Sequence, residues 1–141
     1  MKTPDVNVLL YAVNEDSPQP AAAKRWIEAA YASPGGIGFG WAALLGFVRL
    51  ATRSGIFAKP LGVEVAMDIV DTWLDHPSAR VLLPTDRHAG LLRRLLIGAG
   101  AGGNLVSDAH LAALAIEHNA ELATFDRDFG RFAGLRLALL E

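Results

Sequence analysis

Short apolar runs alternate with longer amphipathic stretches along this chain, and the alternation predicts β-strands separated by α-helices. The apolar runs have the length of strands and end at glycine, proline or charged residues. The predicted strands are residues 2–5, 37–39, 79–83, 122–125 and 135–139. The predicted helices are residues 7–13, 20–31, 41–51, 62–74, 85–96 and 104–117.

The helix boundaries and the order of elements predict the fold class. Ser17 and Pro18 predict a helix start ahead of residues 20–31, with Ser17 as the N-cap and Pro18 at the first helical position. Short apolar strands that are separated by helices usually pair in parallel and carry helices on both faces. We therefore predict an α/β protein, a three-layer α/β/α domain with a short parallel central sheet, spanning residues 1–141 as a single domain.

Composition supports one folded domain and limits its location. The chain has 141 residues, of which 52% are hydrophobic and 20% are charged, and it contains no cysteine. The absence of cysteine excludes thiolate metal sites and cysteine nucleophiles. No apolar run approaches the roughly 18 to 20 residues of a membrane span, and the N-terminus lacks the pattern of a signal peptide. We therefore expect a cytoplasmic protein without membrane contact.

The charge balance argues against a generally basic nucleic-acid-binding surface. The net charge is −2, so the chain as a whole exerts no electrostatic attraction on RNA or DNA. Any RNA-binding surface must therefore be local. The candidate cations are Arg49, Arg53, Lys59, Arg93 and Arg94.

Three aspartates that are far apart in the sequence, Asp5, Asp108 and Asp126, fall where a strand is predicted to end or a helix to begin. Because parallel strands end at the same edge of a sheet, we expect these carboxylates to converge within reach of one divalent metal ion. Asp5 could instead cap helix 7–13, and Asp126 could lie in a turn that caps a short helix at 128–132. These structural explanations stay open.

Asp108 is harder to explain by structure alone. In helix 104–117 it shares a face with Ala112 and Ala115, and a carboxylate beside an apolar stripe is destabilising unless it is paired, hydrogen-bonded or bound to metal. The alternative is that Ser107 caps the helix and the helix dipole stabilises Asp108. A functional role is the favoured interpretation.

Two further features are interpreted as structural. Gly98, Gly100 and Gly103 match the pattern G-x-G-x-x-G, but the residues before them have helical periodicity, whereas a dinucleotide loop follows a strand. We interpret this run as a loop between helices. The four histidines are interpreted as scattered surface residues, and the three tryptophans as core or dimer-interface aromatics.

Three stretches together resemble a known family: PDVNVLLYA at 4–12, NLVSDAHLAALA at 104–115 and TFDRDF at 124–129. They are similar to the PIN-domain ribonucleases, and most similar to the VapC toxins of bacterial type II toxin–antitoxin modules. The resemblance runs over essentially the whole chain, including residues 41–52 and the spacing between the acids.

The resemblance implies a Mg²⁺- or Mn²⁺-dependent endoribonuclease that cleaves RNA, such as tRNA or another structured RNA. It also implies a cognate antitoxin protein that neutralises the toxin, and frequently a homodimer. The catalytic residues carried over are Asp5, Asp108, Asp126, Asn7 and Thr124. The metal ligands carried over are Asp5, Asp108, Asp126 and Asp128.

One position departs from the family pattern. The family usually has a second acid, a glutamate, on the helix after the second strand, and the aligned residue here is Gly46. The departure leaves open a one-metal site, a site completed by Asp128, weaker metal affinity, or a catalytically weak or silent PIN-fold module that pairs with an antitoxin. Arg49, one helical turn after Gly46, could contact phosphate, or it could be a solvated residue or a salt-bridge partner of Asp108 or Asp5.

Overall fold

The computed structural model describes residues 1–100 and 102–141 and has a five-stranded sheet at its centre. The strands are β1 (Lys2–Pro4), β2 (Ile37–Gly40), β3 (Ala79–Leu82), β4 (Glu121–Thr124) and β5 (Arg136–Leu139). Their order across the sheet is β3-β2-β1-β4-β5, and every neighbouring pair is parallel. The carboxyl ends of β1 and β4 therefore lie side by side near the middle of the sheet, with Pro4 opposite Ala123.

Helices connect the strands in the described part of the chain. They are α1 (Val6–Val13), α2 (Pro20–Ala32), α3 (Trp41–Thr52), α4 (Val63–Leu74), α5 (His88–Ala99) and α6 (Leu105–Glu117), followed by a 3-10 helix (Arg127–Arg131). None of these helices combines the length and apolar character needed to cross a membrane.

The core lies between the sheet and its helices. Leu9 in α1, Phe39 in β2, Phe47 in α3 and Leu122 in β4 are completely buried. Trp73 of α4 packs edge-on against Phe47, with ring centroids 4.8 Å apart. A parallel sheet that is covered by helices needs such apolar residues along its strands. This packing holds the carboxyl edge of β1 and β4 in place.

The predicted α/β class and the parallel central sheet are confirmed, and most boundaries agree to within one or two residues. The predicted range of the second helix, residues 20–31, agrees with α2, but the assignment of Ser17 as its N-cap and Pro18 as its first helical position is wrong. Helix α2 begins at Pro20, and Gln19 occupies the N-cap position without a side-chain hydrogen bond. The Ser17 hydroxyl instead donates to the carbonyl of Tyr11 at 3.3 Å, and so ties down the connection between α1 and α2.

The glycine run joins α5 to α6, so its interpretation as a loop between helices is confirmed. Helix α5 starts and ends later than predicted and includes Gly98. Gly100 follows the helix with φ 68°, the left-handed conformation in which glycine commonly ends a helix. Ala101, within the same run, lies outside the described residues.

Candidate active site

The candidate site lies at the carboxyl edge of the two central strands. Asp5 directly follows β1, and its backbone N–H donates to the carbonyl of Ala123 in β4 at 2.9 Å. Asp126 follows β4 after Thr124 and Phe125. Parallel pairing of β1 with β4 therefore brings the first and last predicted acids to one edge of the sheet.

Asp5 is both a helix cap and a buried acid. Only 6% of the residue is exposed. Its Oδ1 accepts from the backbone N–H of Val6 at 2.7 Å, and its Oδ2 accepts from the Thr124 hydroxyl at 2.7 Å. Burial raises the pKa of Asp5, the hydrogen bonds from Thr124 and Val6 partly oppose that shift, and the negative charge of Asp126 adds to it. The capping explanation and the functional one therefore apply to the same carboxylate.

Thr124 and Asn7 connect the two strand ends. The Thr124 hydroxyl accepts from the Asn7 side-chain amide at 3.3 Å and from the backbone N–H of Asp126 at 3.0 Å. The Asn7 carbonyl oxygen accepts from the backbone N–H of Phe125 at 3.3 Å. Thr124 is completely buried, so its contacts are with protein groups alone. The side chains of Thr124 and Asn7 therefore fix the positions of Asp5 and Asp126 relative to each other.

Asp108 enters the site from the first turn of α6. It lies on the same face as Ala112 and Ala115, which are completely buried. Burial raises the pKa of Asp108 to about 6, with further upward contributions from the negative charges of Asp5, Asp126 and Asp128. Ser107 is not the cap, because α6 already begins at Leu105, but Asp108 does lie in the first turn, where the helix dipole favours a negative charge.

Asp126 and Asp128 form the outer part of the acidic edge. The Asp126 side chain accepts from the backbone N–H of Asp128 at 2.9 Å and caps the 3-10 helix, as the structural explanation expected. Asp128 is more exposed, and its carboxylate lies 3.7 Å from the guanidinium of Arg131. Both acids nevertheless act electrostatically on Asp108.

A cleft of about 630 Å³ opens between α3, the start of α1 and the start of α6. Two of the predicted acids, Asp5 and Asp108, lie in its wall. The remaining lining residues are Val6, Ala42, Leu45, Gly46, Val48, Arg49, Ser107 and Leu111. Neither Asp5 nor Asp108 forms a salt bridge with Arg49 in the described part of the chain, so that explanation of Arg49 is wrong.

Gly46 has a packing role that the sequence did not indicate. A Cβ atom at this position would lie only 2.5 Å from Cγ2 of Val6, the first residue of α1. Carbon atoms at that distance overlap, so one of the two helices or the valine would have to move. The glycine therefore permits close contact between α3 and the start of α1, where Asp5 caps the helix.

The carboxylates at this edge suit a hard divalent cation, but they do not form a complete metal-binding site. Carboxylate oxygens are the ligands that Mg²⁺ and Mn²⁺ prefer. Burial raises the pKa of Asp108, and the negative charges of the neighbouring carboxylates add to that shift. In residues 1–100 and 102–141, however, no group of three or more acidic or histidine side chains is arranged to hold an ion. The shared metal site of Asp5, Asp108 and Asp126 therefore stays a prediction.

The interpretation of the histidines as scattered surface residues is wrong for two of them. His88 Nδ1 lies 2.6 Å from Glu117 Oε2, and His88 Nε2 lies 2.9 Å from His110 Nδ1. Thr85 donates to the same glutamate from both its backbone N–H and its hydroxyl. Burial alone would raise the pKa of Glu117, but the hydrogen bonds from Thr85 and His88 outweigh it and lower that pKa.

This cluster joins α5 to α6. Burial and the neighbouring charge of His88 lower the pKa of His110, and the charge of Glu117 opposes that shift. His110 and Glu117 are seven positions apart on α6, which is two helical turns. That spacing in the sequence could have predicted that they share one face of the helix. Their partner His88 belongs to another helix, so the complete cluster depends on tertiary packing.

Asp108→Asn is expected to stabilise the metal-free protein at pH 7 to 8 by about 1 kcal/mol. The raised pKa of Asp108 means that its charged form is disfavoured in the fold. This cost is absent below the unfolded-state pKa, grows as the pH rises toward 6 and is complete above it. A two-unit shift corresponds to at most about 3 kcal/mol, and the half-exposed position reduces that figure. Urea unfolding in EDTA measures the gain.

The exposed acid Asp86 gives the matched control. Asp86→Asn should leave the free energy of unfolding within about 0.5 kcal/mol of the wild type at every pH. The gain in Asp108→Asn should disappear at pH 3, below the ordinary pKa of 3.8, where position 108 is largely uncharged in both proteins, folded or unfolded. A gain of equal size at pH 3 and pH 8 would contradict the electrostatic cause.

Comparison with known proteins agrees with this fold. The PIN domain family matches residues 2–135. The chain is 52% identical over 136 residues to Ribonuclease VapC37 of Mycobacterium tuberculosis, covering 96% of this chain and 94% of that protein. It is 38% identical over 136 residues to Ribonuclease VapC33 of the same species, covering 96% and 95%.

Solved structures share the same architecture at lower sequence identity. VapBC2 from Rickettsia felis, crystallised with a promoter DNA fragment, has a TM-score of 0.73 and 20% identity over 99% of this chain and 98% of that one. VapBC-1 from nontypeable Haemophilus influenzae has a TM-score of 0.69 and 20% identity over 98% and 96%. The chain belongs to the PIN-domain family and, within it, to the VapC ribonucleases.

Proposed function

We propose that this chain is a Mg²⁺- or Mn²⁺-dependent endoribonuclease that acts as the toxin of a toxin–antitoxin module. Its relatives of 38% to 52% identity are named ribonucleases, and the alignments cover 96% of this chain. The observation that carries the proposal is the cleft that is lined by both Asp5 and Asp108. Burial raises the pKa of Asp108 to about 6, and the negative charges of Asp5, Asp126 and Asp128 add to that shift.

Asp5, Asp108 and Asp126 are the proposed metal ligands, and Asp128 holds a coordinated water or completes the site. A divalent cation bound there would polarise a phosphate oxygen and lower the pKa of an attacking water during phosphodiester hydrolysis. Each oxygen of Asp5 already accepts one hydrogen bond and has a second lone pair available for a cation. This pair of hydrogen bonds fixes the direction of the Asp5 carboxylate before any ligand binds.

Asn7 and Thr124 are proposed as positioning residues. Thr124 donates to Asp5 and accepts from the backbone of Asp126, so one hydroxyl sets the spacing of two acids. Asn7 donates to Thr124 and accepts from the backbone of Phe125, which orients the hydroxyl. Such outer contacts commonly change metal affinity or activity by about 10- to 100-fold when they are removed.

The partners in this proposal are an RNA substrate, a cognate antitoxin and a second copy of the chain. The structures that share the fold are named as VapBC complexes, which supports an antitoxin partner for this protein. Homodimer formation and the identity of the RNA, whether tRNA or another structured RNA, rest on the family resemblance. The absence of a carboxylate at Gly46 favours one alternative, a silent module that binds an antitoxin and does not cut RNA.

RNA cleavage by the purified wild-type protein tests the proposal. Addition of Mn²⁺ to a mixture of structured and single-stranded RNAs should produce defined fragments, and excess EDTA should abolish them because the carboxylates then lack a cation. Calorimetric titration with Mn²⁺ measures binding separately. Metal binding without cleavage of any RNA would support the silent module and exclude the nuclease.

A further inference from the structure

Arg49 lies in the wall of the cleft at the candidate active site. It belongs to α3 and lines the cleft together with Asp5 and Asp108. The residue is exposed, and its guanidinium takes part in none of the salt bridges or side-chain hydrogen bonds found within residues 1–100 and 102–141. A free cation therefore faces a cleft that also holds carboxylates.

The neighbouring cations are placed differently. Arg94 donates to the carbonyl of Ala133 at 3.3 Å, and Arg131 lies beside Asp128. Arg53 follows the last residue of α3 and does not line the cleft. Among the described arginines and lysines, Arg49 is the cation found in the cleft wall.

Helix α3 contributes Ala42 and Arg49 to the cleft wall, two helical turns apart. Gly46, which lies between them, is buried and packs against Val6 of α1. Ala42 carries only a methyl group, which permits the close approach of an extended chain such as a nucleic-acid backbone. Leu45, which also lines the cleft, is 61% exposed and adds an apolar rim.

The negative charge of the site disfavours RNA binding unless a cation such as Arg49 offsets it. Asp5, Asp108, Asp126 and Asp128 together repel a phosphodiester, which carries one negative charge of its own. A guanidinium presents paired N–H donors that match two phosphate oxygens, and it stays charged at every physiological pH. We propose that Arg49 binds a backbone phosphate of the RNA and holds the strand against the acidic edge. This role rests on the proposed nuclease function.

RNA binding in an Asp108→Asn background tests the role without strand cleavage. Fluorescence anisotropy with a labelled single-stranded RNA in Mn²⁺, checked for intact RNA on a gel, gives the Kd at several salt concentrations. Adding Arg49→Ala should weaken binding about tenfold for every RNA sequence and reduce the slope of log K against log salt by about 0.7, the value for one lost phosphate contact. Arg49→Lys should keep the slope and lose part of the affinity, because lysine lacks the paired donors.

The matched control is Arg25→Ala, which removes the same charge from an exposed position on α2, outside the cleft. It should leave the slope unchanged. An unchanged Kd and slope in Arg49→Ala, with the Asp108→Asn parent binding RNA, would overturn the role of Arg49 alone. Failure of the parent to bind any RNA, together with no cleavage by the wild type, would overturn the nuclease proposal and the role of Arg49 with it.

Discussion

Asp5→Asn and Asp108→Asn should each lower Mn²⁺-dependent RNA cleavage by about 100-fold or more. Each change removes one charge that is proposed to hold the cation, and loss of a ligand is expected to cost at least as much as loss of an outer contact. Asn can still accept the hydrogen bond from Val6, so α1 should remain capped in Asp5→Asn. Initial rates of cleavage at saturating RNA measure the loss.

The control for these variants is the exposed Asp86→Asn, which should cleave RNA at the wild-type rate. Circular dichroism and urea unfolding should show that all three proteins are folded at the assay temperature. In cells, the two site variants should relieve the growth arrest caused by expression of the wild type at equal protein level. Full cleavage by both variants would remove Asp5 and Asp108 from the site.

Gly46→Glu is expected to destabilise the protein by about 1 to 3 kcal/mol, although it restores the acid that the family usually carries. Its Cβ would lie 2.5 Å from Cγ2 of Val6, and overpacking of this kind costs that much. Valine in a helix has one strongly preferred rotamer, so it cannot easily turn away. Gain of helix propensity, about 1 kcal/mol over glycine, offsets only part of the cost. Urea unfolding measures the net effect.

Val6→Ala is expected to restore part of the stability that Gly46→Glu loses. It removes Cγ2 and leaves the Cβ of residue 6 at 3.6 Å, an ordinary contact, so Val6→Ala/Gly46→Glu should be more stable than Gly46→Glu alone. The new carboxylate would then line the cleft with Asp5 and Asp108 and should tighten Mn²⁺ binding about tenfold in calorimetry. Gly46→Ala is the matched control, with the same overlap and no charge.

Two outcomes would contradict this account of Gly46. Equal stability of Gly46→Ala and the wild type would show that α1 and α3 tolerate a Cβ at this position. Unchanged Mn²⁺ affinity in the stable double variant would show that the side chain of residue 46 does not reach the acids. Appearance of cleavage in the double variant alone would identify the natural protein as a silent module.

The boundaries of the elements were predictable because local signals set them. Apolar runs of strand length and helical periodicity placed β2, α3 and α4 to within about two residues. The range of α2 was predicted to within one residue, but its cap was predicted wrongly, since both Pro18 and Pro20 match the first position of a helix. Local sequence does not decide between the two prolines. In the structure, Ser17 bonds to the carbonyl of Tyr11 and does not cap the helix.

The site was predictable in part. The positions of Asp5 and Asp126 at strand ends follow from the order of strands and helices, because parallel strands end at one edge. Their hydrogen bonds to Thr124 and to backbone groups could not be predicted, since they depend on distances across the sheet. The raised pKa of Asp108 likewise depends on burial and on charges contributed by distant segments.

The sequence by itself determined the α/β class and the family, and it placed the acids at the ends of strands and helices. Hydrophobic periodicity, composition and the order of the motifs can all be read from residues that are neighbours along the chain. Tertiary structure alone decided which groups touch. It joined His88 to Glu117 and His110, packed Val6 against Gly46, and left Arg49 in the cleft wall without a partner among the described residues. These contacts join segments that are separated by many residues. The energy of each contact depends on how the two segments pack together, and no local sequence pattern encodes that packing.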